Sequence, residues 1–123
     1  MQSLNVVLLQ GDAGVAKSLV CALSKTFHSV QQVNSVSDLR TTIAKERARL
    51  AIVDMERASL ADVEHLSHEF PAARFVCTHR LADEEMWAAA MNAGAVDVCP
   101  ADDTGGIVRA ALTSNKIERS AAA

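Results

Sequence analysis

Two polar residues close apolar runs in this chain. Asp54 ends LAIVD (50–54), and Thr78 ends RFVCT (74–78). A carboxylate at the end of a buried run is costly to desolvate unless a charge or hydrogen-bond donors meet it. Together, a carboxylate and a hydroxyl on neighbouring strand ends could receive a phosphoryl group and hydrogen-bond it. The plainer alternative is a strand-end Asp that caps the turn after it.

A third stretch invites nucleotide chemistry. GDAGVAKS (11–18) differs from the phosphate-loop pattern G-x-x-x-x-G-K-S only in Ala16. Such a loop needs glycine where backbone N–H groups approach phosphate, and a Cβ at Ala16 works against that. The competing reading is a strand-to-helix turn. Gly11 and Gly14 then shape the turn, Val15 and Leu19 pack inward, and Lys17 and Ser18 face solvent. Asp62, His65 and His68 recur every three residues beside Glu69, but helical spacing brings only two such ligands together. That reads as a solvated face rather than a metal site. His79 follows Thr78 and reads as a loop histidine.

The elements that must position these residues alternate. Apolar runs at 5–9, 29–33, 50–53, 74–78 and 96–99 read as strands. Amphipathic stretches between and after them read as helices: 15–27, a Ser37-capped helix through Arg47, 60–70 capped by Ser59, 83–92 ended by Gly94, and Thr104 to about Ile117. Val36 reads as a hydrophobic staple before the second helix. Trp87 and Met91, four apart, read as inward on the fourth. Five βα repeats make a parallel sheet covered on both faces, and right-handed crossovers favour the flavodoxin-like strand order 2-1-3-4-5. Functional loops then lie at the carboxyl ends of the strands, beginning at Gln10, Asp54, Thr78 and Pro100.

Bulk composition narrows the functional classes. The 123 residues suit one domain, here 1–119, with a frayed tail at 120–123. Half the residues are hydrophobic and the net charge is −3, so no basic footprint for nucleic acid exists. No apolar run reaches membrane-spanning length, and no signal-peptide pattern opens the chain. Cys21, Cys77 and Cys99 lie in apolar runs and read as reduced core thiols of a cytoplasmic protein, with a Cys77–Cys99 bridge disfavoured.

The pattern resembles a response-regulator receiver domain over roughly Asn5 to Leu112. AMNAGAVDV (90–98) is similar to the family's A-x-x-A-G-A-x-x-[YF] stretch before the last strand. The resemblance implies that Asp54 is the phospho-acceptor and Thr78 the switch hydroxyl. It also implies Mg²⁺ as cofactor, held weakly by Asp54 and the displaced Asp12, a thin set for an ion that fills the rest of its shell with water and phosphate oxygens; an upstream histidine kinase or phosphotransfer protein; and no enzymatic turnover. Another signalling protein, or a second copy of the chain, would contact the fourth helix, last strand and fifth helix. Departures mark an atypical or pseudo-receiver. Gln10 and Gly11 stand at the acidic-pair positions, Ala101 and Asp102 where Lys-Pro belongs, and Val98 at the switch aromatic. The stretch from Asp54 to Thr78 is shorter than the family's. Asp54 is then an acceptor or a relic. The rival from another class is a nucleotide-binding protein using Gly11–Ser18.

Overall fold

A computed structural model describes residues 2–81 and 83–112. Five parallel strands form one sheet in the order β2-β1-β3-β4-β5. They are β1 (Gln2–Leu9), β2 (Phe27–Val33), β3 (Leu50–Asp54), β4 (Arg74–His79) and β5 (Asp97–Pro100). Helices α1 (Ala13–Ser24), α2 (Val36–Glu46), α3 (Leu60–Glu69) and α4 (Glu84–Ala93) connect them. A fifth helix, α5, covers 104–112. The doubly wound architecture and strand order match the sequence expectation. The expected end of α5 near Ile117 and the tail lie outside the described residues.

Alternation along each strand splits the core into two layers. Val7, Leu9, Ala51, Val53, Phe75 and Cys77 face one way, under α2, α3 and α4. Val6, Leu8, Leu50, Ile52, Val76 and Cys99 face the other, under α1 and α5. All five residues of β3 are buried, because both faces of this central strand are covered. Leu19 and Leu23 dock α1, each contributing about 1.5–3 kcal/mol by leaving water.

Side-chain caps begin the helices. Asp12, Ser35, Ser59 and Asp83 each accept a backbone N–H at the first turn of α1 to α4, and Asp103 accepts from Gly106 N at 3.0 Å. Each such cap is worth about 1 kcal/mol. Gly94 ends α4 at φ 115°, a left-handed position that favours glycine.

Several local expectations are corrected. Ser35, not Ser37, caps α2, so Val36 is its first helical residue rather than a staple. Phe27 opens β2 instead of closing α1; it is 1% exposed, in the layer under α1 and α5. Trp87 is 48% exposed. The inward stripe of α4 is Met86, Ala90 and Ala93, at i, i+4, i+7, which turns Trp87 to the flank. Cys21 is an exposed thiol, not a core one. Cys77 and Cys99 are both free; they sit on adjacent strands but in opposite core layers. Among the described residues no helix is long and apolar enough to cross a membrane.

Candidate functional site

The carboxyl edge of the sheet gathers residues that are distant in sequence. Asp54 ends β3 and is aligned with Thr78 on β4. Gln10 follows β1, the other neighbour of β3. A cleft of about 540 Å³ opens above Gln10 and Asp54. Its lining includes Gln10, Gly11, Asp12, Asp54, Glu56 and Arg57, together with Arg80, Ala101 and Asp102.

Asp54 is only 2% exposed. Its Oδ2 accepts from Gly11 N at 3.0 Å and its Oδ1 from Glu56 N at 2.9 Å. These two backbone donors offset the cost of holding a carboxylate so far from water. They use two of about four lone-pair sites on the carboxylate, leaving room for a further bond. Thr78 is fully buried, and its hydroxyl has no hydrogen-bond partner among the described residues. Gln10 is 5% exposed; Oε1 accepts from Asp12 N at 3.0 Å, while Nε2 is buried without a partner among the described residues. Because the backbone N–H of Asp12 is a donor, the amide must present its oxygen there and its NH₂ elsewhere.

Two arginines that the sequence reading did not single out reach this cleft. Arg80 Nε donates to Glu56 Oε1 at 2.7 Å, tying the loop after β4 to the loop after β3. Arg57 lies against Gly11. A Cβ built there would meet the guanidinium, with Cζ at 3.1 Å and Cδ at 3.2 Å, and Nε nearer still. Only a residue without a side chain leaves the guanidinium this place. Neither arginine follows from hydropathy, since each sits in a short loop with no periodic signal.

The other singled-out residues separate. Asp12 borders the cleft, but its Oδ1 accepts from Val15 N as the α1 cap. Ala13 to Lys17 are helical, so GDAGVAKS does not form a phosphate-cradling loop; Ala16 is buried, and Lys17 and Ser18 are exposed. Asp62 closes a capping box with Ser59, which accounts for its carboxylate, and His65 and His68 are exposed. His79 Nδ1 accepts from Leu81 N at 2.9 Å. Among the described residues no three His, Cys, Asp or Glu side chains gather as a metal would need. Burial pushes the Cys77 thiol up to about 12; burial, then Asp97 and Asp103, push Cys99 to about 11.

The resemblance implies Mg²⁺ beside Asp54, and these side chains do not fit it. The ion wants an octahedron of oxygens. Here Gln10 offers an NH₂, Asp12 is engaged in capping, and a guanidinium occupies the space next to Gly11.

Neither a family model nor a curated protein matches the sequence. Solved structures do. The chain is similar to the signal receiver domain of NarL from Mycobacterium tuberculosis, with TM-score 0.80 and 19% identity over 94% of this chain and 98% of that one. The fold is that of response-regulator receiver domains. The receiver domain of RcsB from Salmonella enterica serovar Typhimurium, determined with the phosphomimetic BeF₃⁻, gives TM-score 0.77 at 14% identity, over 92% and 90% of the two chains. NtrX from Brucella abortus gives TM-score 0.81 at 17% identity; the match covers 98% of this chain but 29% of NtrX. The receiver fold is thus shared at identities where few site residues need coincide.

Proposed function

We propose that this chain is a receiver-type signalling module in which Asp54 accepts a phosphoryl group and the state of that residue is read by a protein partner. The observation that carries this reading is the pairing of Asp54 and Thr78. A carboxylate 2% exposed, with lone pairs to spare, stands one strand from a fully buried hydroxyl without a partner. A phosphoryl group on Asp54 would give that hydroxyl an acceptor, and strand β4 would pass the shift to the loop before α4. Donors of suitable chemistry are the phosphohistidine of a kinase or phosphotransfer protein, or a small acyl phosphate. The output surface fits α4, β5 and α5; Trp87 on α4 and Leu81 in the loop before it are exposed apolar side chains. The module relays a signal rather than turning over a substrate.

The test is labelling with a radioactive acyl phosphate. Wild type should carry one acid-stable, base-labile label, and Asp54→Asn none. Absence of label in wild type under every metal condition would make Asp54 a relic, leaving a pseudo-receiver that signals by contact alone.

A further inference from the structure

Two features of the cleft are left over by the reading above. One is the buried amide Nε2 of Gln10, a donor with nothing to bond. A native fold leaves few such groups unsatisfied, so each calls for a physical reason. The other is Arg57, whose guanidinium rests in the space a side chain at Gly11 would fill and makes no ion pair among the described residues. Both lie beside the same atoms, since Gly11 N donates to Asp54 Oδ2 and Gln10 immediately precedes it. Both offer hydrogens, and neither offers a lone pair to a metal. They border Asp54, the residue to which an incoming group with spare oxygens would attach.

We propose that the cleft over Asp54 is a metal-independent phosphoryl site, in which the Arg57 guanidinium and the Gln10 amide take the phosphoryl oxygens that a divalent cation would otherwise hold. This rests on the reading of Asp54 as acceptor and adds how the charge is met. Phosphoryl transfer asks for positioning and charge neutralisation more than for covalent help. A guanidinium supplies both, through a planar fork that matches two oxygens at once. With an acyl phosphate donor, an Asp54 carboxylate oxygen forms the new O–P bond as the bond from phosphorus to the acyl oxygen breaks. The electron pair leaves with the carboxylate product, and no proton need move. Arg80 is committed to Glu56 and serves as the internal comparison.

The experiment is acyl phosphate labelling of the intact chain in excess EDTA and in Mg²⁺. Arg57→Ala, Gly11→Ala, Gln10→Glu and Arg80→Ala are run alongside, with circular dichroism to confirm folding. Arg57, Gly11 and Arg80 are solvent-side, so their variants should fold. Equal label with and without metal is expected. A loss of about a hundredfold in rate is expected for Arg57→Ala, the size of losing one strong transition-state donor. Gly11→Ala keeps Arg57 but displaces it, and should also lose label; Arg80→Ala should keep most of it. Gln10→Glu should make labelling metal-dependent, by replacing the donor with a carboxylate. Label that appears only with Mg²⁺, or that survives Arg57→Ala unchanged, would overturn the inference while leaving Asp54 as acceptor. No label under either condition would overturn both.

Discussion

Replacing Thr78 with valine isolates the cost of the switch hydroxyl. The side chain is fully buried and its Oγ1 finds no partner. A hydroxyl held so costs about 1–3 kcal/mol relative to a satisfied one. Valine keeps the branched shape and puts a methyl where the hydroxyl was, so the penalty disappears and nothing is lost from packing. Thr78→Val should therefore stabilise the domain by about 1–3 kcal/mol, against the usual sign for a core substitution. At a urea m-value of about 1–3 kcal/mol/M, the midpoint should rise by roughly 1 M. The melting temperature should rise roughly 3–5 °C per kcal/mol at this chain length. Circular dichroism in urea and on heating reads both. The same variant should still take label at Asp54 but no longer pass the change to α4, seen as missing amide shifts along Glu84–Ala93 on beryllofluoride addition. Such a trade of stability for function is expected where a polar group is kept ready for a ligand. A midpoint at or below wild type would refute the reasoning, because it would mean the hydroxyl is already satisfied in the resting fold.

Gly94→Ala should destabilise by about 1–3 kcal/mol in urea, since the position has φ 115° and a Cβ there would lie 2.7 Å from Ser67 Cβ. Thiol titration with a disulfide reagent at pH 8 should show one fast group, Cys21, with Cys77 and Cys99 reacting only on unfolding, because their thiols are buried and raised to about 12 and about 11. The raised values set a sign for stability as well. The unfolded thiols ionise near 9.0 and the folded ones well above it, so their contribution is complete below pH 9 and falls as pH climbs through the folded values.

Much of the site could be read from residue order, and the reasons are local. An apolar run that stops at Asp54 or Thr78 marks the edge of a buried strand, because a polar group inside it would be stranded from water. The glycine-rich turn after β1 departs from a phosphate loop at Ala16, and the helix that begins at Ala13 settles the local geometry. What order along the chain could not supply was the use each polar atom finds. Asp12 has the right chemistry for a metal but is drawn into capping α1, which local competition for the first N–H groups decides. Trp87 and Met91 share a helical spacing but neither joins the core; Met86 and the smaller Ala90 and Ala93 take it, because the helix lies close to α3 and β5. Phe27 could extend α1 by periodicity, and pairing with β1 claims it instead.

From its sequence alone this protein is a five-fold βα repeat with one acid and one hydroxyl at the sheet's carboxyl edge, because hydropathy period and strand ends are properties of neighbours in the chain. Whether that edge holds a cation or an anion is decided only in three dimensions. Asp54 and Thr78 end two strands and Gln10 and Arg57 sit in two loops, and they become neighbours of one sheet edge only once β1, β3 and β4 lie side by side, with Gln10, Asp54 and Arg57 lining one cleft. Charge balance in a site depends on distance through space, which a linear order of residues does not contain.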